Sequence, residues 1–399
     1  MPDAVIVATA RTPIGRAFKG SLASLRPDNL ASQAVSAALD QVPAISNDEI
    51  DDLILGCANP FGEHGFNVAR IVAVLTGLTA APAATVNRGC ASSLQALRIA
   101  AHAIRSGEGD CFVTGGVECV SRYGPDAGEA FPNPLFSAAR ERSALRTTGT
   151  EPTWTPAAGL PDIYVAMGQT AENVAEFEGV TRDEMDEFAK QSQDRARAAI
   201  DTRFYEVDIT PVVLADGTEV ATDDCPRDAT LEGLSALQPA FRPNGRVTAG
   251  NSCPLNDGAA AVIVMSDSKA RALGITPLAR VVASGVSGID PEIMGLGPVE
   301  ATRRALGHAG MSMEDIDLVE MNEAFAAQVI PSAKHLRIPM EKLNVHGGAI
   351  ALGHPFGQTG ARLMTTLING LRVRDQTLGL ETMCVGGGQG MAMIVERLS

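Results

Sequence analysis

The alternation of apolar and polar segments along the chain occurs twice. An alanine-rich helical pattern ends near Leu39 and again near Leu306. Each time a serine, an acidic turn and an apolar strand-like run follow, at 46–55 and 312–320. Serine favours a helix N-cap, and a short apolar run bounded by polar residues is typical of a strand. The simplest interpretation is two copies of one α/β unit, although α/β proteins in general show such alternation of helices and strands.

Neighbouring segments extend this likeness. An opening strand is predicted at 5–10 and again at 281–285, and a late strand that ends in glycines is predicted at 113–116 and at 384–387. Because several elements recur in the same order, we expect a duplicated α/β core rather than a chance rhythm.

Different material lies between the copies, from about 121 to 247. It carries the only tryptophan, Trp154, and a charged helical pattern over 181–200. The segment is too long for a loop, so we expect an inserted lid or substrate domain, with a plain packing layer as the alternative. Its arginines are either part of an anion site or scattered on the surface. They are Arg140, Arg142, Arg146, Arg203, Arg227, Arg242 and Arg246.

The composition excludes several classes of protein. The 399-residue chain is 45% hydrophobic, which suits a sizeable core, and its net charge is −15. No block of lysine and arginine is present and aromatics are only 4%, so nucleic-acid binding is disfavoured. No apolar run reaches the ~18 residues of a membrane span, and no signal peptide is recognisable. We therefore expect a cytoplasmic protein with no membrane partner.

The seven cysteines are odd in number and irregularly spaced. No C-x-x-C pair exists and no histidine lies at zinc-ligand spacing, so we expect neither a disulfide framework nor a metal site. In a reducing compartment most of these residues are expected to be small buried side chains.

The segment 86–97 places one cysteine beside the start of a helix. A strand-like run ends at Val86, a glycine turn follows, and a helical pattern continues through Leu94 and Leu97. Cys90 is then predicted in the first helical turn, where unpaired N–H groups and the helix dipole favour a thiolate and lower its pKa. This makes Cys90 a candidate nucleophile, although cysteines also occur at helix starts for packing alone.

Two further segments carry polar groups suited to acid–base chemistry. At 346–360, five glycines predict sharp turns. There His354, held extended before a proline, suits a general base, whereas His346 is expected to be structural. After the strand-like run that reaches Glu320, Asn322 is either a helix cap or an amide that holds a water or ligand.

The segment 383–390 joins Cys384 to four glycines. Backbone N–H groups of such a run can point at one spot and stabilise an oxyanion, and Cys384 adds a second sulfur beside them. Neither Lys-Ser nor Lys-Thr follows, and a strand resumes, so a phosphate-binding loop is excluded.

Taken in order, these segments resemble the thiolase family, the acyl-CoA:acetyl-CoA acyltransferases. The family patterns N-x-x-C-x-S, N-E-A-F, G-G-x-I-A-x-G-H-P and C-x-G-G-G-x-G match the chain at 87–92, 322–325, 347–355 and 384–390. The likeness spans essentially the whole chain. It also includes the segments 10–15, 167–173 and 256–260.

The resemblance implies an α/β fold with a five-layer αβαβα core of two duplicated halves plus an inserted loop domain. The N-terminal half is predicted at 1–120, completed by 248–271. The inserted loop and CoA-binding domain is predicted at 121–247, and the C-terminal half at 272–399. The resemblance further implies acyl-CoA and CoA as substrates, no permanently bound cofactor, and a homodimer or homotetramer.

It also implies roles for single residues. Cys90 is the nucleophile that carries the acyl group as a thioester, and His354 activates it. Cys384 protonates or deprotonates the α-carbon of the acetyl unit. Asn322 holds a water that forms one oxyanion site with His354, and the backbone N–H groups of Cys90 and Gly386 form the other.

Substrate contacts are implied at four further positions. Arg227 lies near where relatives contact the CoA phosphates, and Met167 and Phe325 belong to matched motifs. Cys253 replaces a serine that in many relatives hydrogen-bonds the pantetheine arm, and a thiol is a weaker donor. Ala166 replaces a histidine of short-chain biosynthetic relatives, which favours a degradative enzyme with a roomier acyl pocket.

The sequence thus predicts a thiolase that cleaves 3-ketoacyl-CoA to acetyl-CoA and a shortened acyl-CoA, with ping-pong kinetics, in lipid degradation. A biosynthetic acetoacetyl-CoA thiolase is one alternative. A ketoacyl synthase is another, although Cys384 stands where that class has a histidine. A non-catalytic acyl-CoA or lipid carrier on a thiolase body is the third.

Overall fold

The computed structural model describes residues 2–123, 132–149 and 154–399. The strands are β1 (Ala4–Arg11), β2 (Gly15–Arg16), β3 (Asp52–Gly56), β4 (Ala83–Val86), β5 (Cys111–Cys119), β6 (Val212–Val213), β7 (Glu219–Val220), β8 (Asn256–Ser266), β9 (Ala279–Gly288), β10 (Leu318–Met321), β11 (Leu378–Val385) and β12 (Gln389–Arg397). The helices are α1 (Pro27–Asp40), α2 (Val68–Leu75), α3 (Ser92–Ser106), α4 (Ser137–Arg146), α5 (Met167–Phe177), α6 (Arg182–Asp201), α7 (Leu231–Ser235), α8 (Asp267–Leu273), α9 (Gly297–Ala309), α10 (Ala326–Leu336), α11 (Ala349–Leu352) and α12 (Thr359–Val373).

The repeat predicted from the sequence is present, with the same capping chemistry in both copies. Ser46 begins a short helical turn in which Glu49 bonds back to the serine, and Ser312 and Asp315 do the same in the second half. Such a reciprocal box satisfies backbone donors at the start of a turn, so the chain then enters β3 or β10 in equivalent ways.

One large sheet runs through the molecule in the order β10-β11-β12-β9-β1-β8-β5-β3-β4. Strands β1 and β9 join its two parts through only two residue pairs, Val5 with Arg280 and Ile6 with Ala279. Strand β8, which follows the inserted segment in the chain, lies between β1 and β5. The two parts of the sheet are therefore the two copies, and β8 completes the first.

Five layers follow from the burial of both faces of each half-sheet. Along β8, Ala261 and Ile263 alternate with Val262 and Val264, and the two sets belong to different apolar clusters. One outer cluster contains α1 and α2, the other contains α9 and α10, and the middle cluster contains α3 and α12. The five-layer αβαβα fold expected from the sequence is thus confirmed, with α3 and α12 as its central layer.

One strand prediction was wrong. The first late strand was expected to end in glycines at 113–116, but β5 continues to Cys119. It continues because β8 pairs with it along its whole length and β3 pairs with it up to Gly116. The second late strand, β11, ends at Val385, directly before its glycines.

The insert forms helices, as its periodicity predicted. Helix α6 begins after Thr181, whose side chain accepts a hydrogen bond from the N–H of Glu184. The buried guanidinium of Arg11 ties the insert to β1, since it holds both oxygens of Asp223 at 2.8 and 3.1 Å. A buried arginine with a bidentate carboxylate fixes two segments in a defined orientation. In the described part of the chain, no helix is long and apolar enough to cross a bilayer.

Candidate active site

Cys90 lies between the end of β4 and the start of α3. Gly89 has a φ of +48°, which lets the chain turn sharply, and its N–H is held by the Asn87 side chain at 2.8 Å. Helix α3 begins at Ser92 with Ala91 as its cap. Cys90 therefore precedes the helix, and the prediction that it lies in the first helical turn was wrong. The N-terminus of α3 is nevertheless directly beside the thiol.

The expected lowering of the pKa of this thiol was wrong. Burial is the dominant cause and raises the pKa of Cys90 to about 11, and the charge of Glu118 acts in the same direction. The N–H groups of Gly386 and of Cys90 itself oppose this rise. Because desolvation exceeds the effect of the donors, the resting side chain is a neutral thiol. A base is therefore required to generate the thiolate.

His354 is a buried histidine whose ring stays neutral. Burial, followed by the charge of Arg362, lowers its pKa to about 3. The hydroxyl of Thr359 donates to the carbonyl of Pro355 at 2.8 Å, so its oxygen accepts the Nδ1–H of His354 at 2.6 Å. The proton is thus on Nδ1, and Nε2 is the unprotonated nitrogen of the ring.

Asn322 is the hydrogen-bond partner of Nε2 of His354. Its side-chain amide lies 3.2 Å from Nε2 of His354, and helix α10 begins only after Phe325. The helix-cap alternative for Asn322 is therefore excluded. Its Oδ1 is buried and has no hydrogen-bond partner among the described residues, which suits an acceptor for a water or ligand.

Glu118 anchors the histidine loop to the other half of the molecule. Its buried carboxylate accepts the N–H groups of Ala58 at 2.8 Å, Asn59 at 3.1 Å and Gly357 at 2.9 Å. Three donors from two loops converge on one carboxylate, so the segment that contains His354 is fixed against the end of β3.

Three thiols share one neighbourhood. Burial raises the pKa of Cys384 well above its ordinary value, and the nearby Cys90 and Cys253 raise it further. Burial also raises the pKa of Cys253, with Cys90 as the next cause. The backbone N–H of Cys253 donates to the carbonyl of Ala324 at 3.1 Å, next to the Asn322 segment. Cys384 is therefore protonated near neutral pH and can act as a proton donor.

The glycine segment after β11 borders Cys90. The N–H of Gly386 points at the Cys90 sulfur. A methyl group added at Gly386 would lie 3.4 Å from the sulfur of Met167, and one added at Gly387 would lie 3.4 Å from Ile163. Two apolar side chains of the insert thus lie against the glycines beside Cys90.

A cleft of about 810 Å³ leads from the surface to Cys253. Arg227 and Phe241 also line it, and Phe241 stacks edge-on against Phe325 at 6.3 Å between centroids. Phe325 itself is buried behind this wall. The structure therefore brings Cys253 and Arg227 to the cleft, Met167 to the glycines, and Phe325 to the support of the wall.

The cleft is lined by three cationic side chains and by the carboxylates of Asp224 and Asp228. Arg16, Lys19 and Arg227 line it and are exposed, and no ion pair involves them in the part of the chain that the structure describes. The neighbouring carboxylate of Asp224 is occupied by the N–H groups of Arg16 and Ser21. This arrangement suits an anionic group such as a phosphate.

The other arginines of the insert are mostly engaged within the protein. Arg146 pairs with Glu292, Arg203 with Glu206, and Arg242 with Glu176. These three pair with separate carboxylates and share no anion site among the described residues, and Arg146 and Arg242 are largely buried in their pairs and not scattered on the surface.

Several residues that shape the site were missed in the sequence. Thr359 orients His354 through Nδ1, and Asn256 accepts the backbone N–H of His354 at 2.9 Å. Ser93 accepts the N–H of Ala361 at 2.9 Å and joins α3 to α12. Asn256 belongs to a matched motif, so position alone could have indicated it; Thr359 and Ser93 carried no signal of their role.

The chain matches two family models. The model described as "Thiolase, N-terminal domain" covers residues 4–268, and the one described as "Thiolase, C-terminal domain" covers residues 275–397. Together they account for nearly the whole chain.

Full-length relatives and a solved structure agree with this match. A 3-ketoacyl-CoA thiolase of Shewanella frigidimarina is 44% identical, over 100% of both chains. A 3-oxoadipyl-CoA/3-oxo-5,6-dehydrosuberyl-CoA thiolase of Escherichia coli is 43% identical, also over 100% of both. The crystal structure of the Bacillus anthracis acetyl-CoA acetyltransferase has a TM-score of 0.86 and 36% identity, covering 100% of this chain and 99% of the other.

Because the side chains of Cys90 and His354 are both neutral at rest, the reactivity of Cys90 has a testable pH dependence. With His354 as base, we expect the rate of Cys90 alkylation by iodoacetamide to be nearly constant between pH 5.5 and 7.5, since the ring is neutral down to about pH 3. In His354→Asn the rate should fall by about 100-fold. It should then rise about tenfold per pH unit, following a thiol of pKa about 11.

Peptide mass spectrometry after timed labelling measures both rates. His308→Asn, a change at an exposed ring, serves as the matched control and should label like the unmodified chain. A wild-type rate that itself rises tenfold per pH unit would show that His354 is not the base.

Proposed function

Because the chain belongs to the thiolase family, we propose that it cleaves 3-ketoacyl-CoA to acetyl-CoA and an acyl-CoA shortened by two carbons. The proposal is supported by a half-buried thiol at the Gly386 N–H with a second, protonated thiol in its neighbourhood, and by a neutral imidazole whose unprotonated Nε2 faces the Asn322 amide. A carrier protein has no need of such a set.

The first half-reaction breaks a carbon–carbon bond. His354 takes the proton of Cys90, and the sulfur attacks the 3-keto carbon. The oxygen then carries the negative charge, which the N–H groups of Cys90 and Gly386 stabilise. As the carbonyl re-forms, the bond between carbons 2 and 3 breaks, and Cys384 gives its proton to carbon 2 of the departing acetyl-CoA. Asn322 and His354 stabilise the enolate oxygen of that unit.

The second half-reaction returns the enzyme to its starting state. The Cys384 thiolate takes the proton of incoming CoA, whose sulfur attacks the acyl thioester on Cys90. The Cys90 thiolate leaves and recovers its proton from the His354 imidazolium. Protons and electron pairs balance over the cycle, and two covalent half-reactions predict ping-pong kinetics.

We place CoA in the 810 Å³ cleft. Arg227 at the mouth supports contact with the phosphates, and Cys253 at the inner end supports a contact with the pantetheine arm near the nucleophile. The insert, 121–247, is accordingly proposed as the CoA-binding domain between the core halves 1–120 with 248–271 and 272–399. Ala166, just before α5, supports the degradative direction.

We further propose that the chain forms a homodimer, alone or paired into a tetramer. Strand β4 lies at the edge of the sheet, and Phe66, in the loop before α2, is 95% exposed. Val74 and Leu75 on α2 are also about half exposed. An unpaired strand edge beside exposed apolar side chains favours association with a second copy.

Loss of the nucleophile tests the reaction. Cys90→Ala should abolish CoA-dependent cleavage of 3-ketoacyl-CoA, whereas the wild type incubated without CoA should gain the mass of one acyl group on Cys90. Intact-protein and peptide mass spectrometry detect this adduct, and Cys57→Ala, a change at another buried thiol, is the control. Robust cleavage by Cys90→Ala would overturn the proposal.

Removal of the charge at the cleft mouth tests the CoA site. Arg227→Gln should raise the KM for CoA about fivefold and leave kcat within about twofold, because an exposed ion pair adds modest binding and no transition-state contact. Steady-state kinetics with CoA as the varied substrate measure both constants. Arg271→Gln, an exposed arginine outside the cleft, should change neither, and an unchanged KM in Arg227→Gln would remove Arg227 from the site.

Introduction of a charge at the exposed edge tests the assembly. Light scattering after gel filtration should give two or four times the 41.5 kDa of the chain, and Phe66→Asp should shift it towards the monomer. Val373→Asp, at a residue that is 63% exposed elsewhere, should leave the mass unchanged. A monomeric wild type would contradict the proposal.

A further inference from the structure

Glu292 lies in the connection between β9 and α9 and is 1% exposed. Its carboxylate accepts three hydrogen bonds: from the guanidinium of Arg146, from the indole N–H of Trp154 at 2.9 Å, and from the backbone N–H of Asp162 at 2.9 Å. Burial tends to raise its pKa, but the Asp162 N–H and Arg146 outweigh burial and hold the pKa below its ordinary value. The side chain is therefore a charged, fully bonded carboxylate in the interior.

The three donors come from separate parts of the insert. Arg146 ends α4, Trp154 lies in the next described segment, and Asp162 precedes α5. A fourth contact comes from the side chain of Asn173 on α5, which donates to the backbone carbonyl of Glu292 at 2.8 Å. The guanidinium of Arg142 also lies 3.6 Å from the Glu292 carboxylate, so one residue of the C-terminal half contacts five residues of the insert.

The same connection also supports the glycines beside the nucleophile. The N–H of Ile289 donates to the carbonyl of Gly388 at 2.8 Å, and the backbone at Pro291 packs where a Gly388 side chain would be. Ile163, next to Asp162, faces Gly387. The connection between β9 and α9 therefore contacts the glycine segment through Ile289 and Pro291. Through Glu292 it also holds the part of the insert that lies against Gly387.

We propose that Glu292 is a positioning residue that seats the apolar wall formed by Ile163 and Met167 over Gly386 and Gly387, and so determines which acyl chains are accepted. The inference rests on the proposed thiolase function. A wall of this kind contacts the acyl chain and not the CoA or the reacting atoms, so its displacement changes selectivity among acyl groups more than the chemistry at Cys90.

A neutral isostere breaks the set of bonds. In Glu292→Gln one oxygen becomes an NH2 group, so at least one of the donors at Trp154, Arg146 and Asp162 faces another donor in a dry interior. The guanidinium of Arg146 also loses its counter-charge. Because the contacts join the insert to the core, the cost falls on the placement of residues 160–164 and not on the central layer.

The only tryptophan of the chain reports this placement directly. Trp154 is 1% exposed and stacks edge-on against Phe177 at 5.5 Å between centroids. In Glu292→Gln we expect its emission to shift to longer wavelength and its quenching by acrylamide to increase. Glu300→Gln, the same change on the exposed face of α9, is the matched control and should leave the emission unchanged.

The kinetic test compares acetoacetyl-CoA with 3-ketodecanoyl-CoA. In Glu292→Gln the ratio of their kcat/KM values should change by about tenfold, mainly through the KM of the long substrate, while the alkylation rate of Cys90 stays within about twofold. Trp154→Phe keeps the ring packing and removes only the N–H donor, so we expect a smaller change of the kcat/KM ratio in the same direction. This variant replaces Glu292→Gln in the kinetic test if Glu292→Gln fails to fold.

The outcomes separate the two proposals. Equal changes for both substrates, or an unchanged ratio in both variants, would overturn the role of Glu292 while wild-type cleavage still supports the thiolase function. A wild type that cleaves neither substrate would overturn the thiolase function, and with it the selectivity role. Unchanged Trp154 emission in Glu292→Gln would overturn the positioning role whatever the activity.

Discussion

The site depends on backbone packed directly against backbone in the central layer. A side chain at Gly116 would clash with the carbonyl of Gly357, and one at Gly360 with the backbone of Leu94 on α3. These contacts allow the loop before α12 to lie against the end of β5 and the start of α3. Interiors are close-packed, so this approach fixes the relative position of the two loops to a fraction of an ångström. Cys90 and His354 belong to different halves of the chain, and this packing sets the loops that carry them.

Burial of the Cys90 and His354 side chains determines the charge state of the site. Burial keeps the thiol of Cys90 protonated and the imidazole of His354 unprotonated, so the resting pair is neutral. Charge arises only during the reaction, where oriented N–H groups stabilise it better than water, because they need no reorganisation. A preformed ion pair in the same place would carry a large desolvation cost before substrate arrives.

Local patterns in the sequence predicted those features of the fold that short segments determine by themselves. The serine boxes at Ser46 and Ser312 and the periodicity of α6 are properties of short segments, and the duplicated fold follows from them. The lowered pKa expected for Cys90 was wrong because it rested on the adjacent helix alone, whereas burial is created by the whole fold. Glu292 had no local signal, since its three donors come from distant parts of the chain.

Helices α3 and α12 occupy equivalent places in the two copies; Cys90 lies two residues before the first and His354 lies five residues before the second. The N-terminal copy carries Cys90 at this place, and the C-terminal copy carries His354. The two copies of one unit are therefore chemically unlike each other, with a thiol before the central helix of one and an imidazole before the central helix of the other.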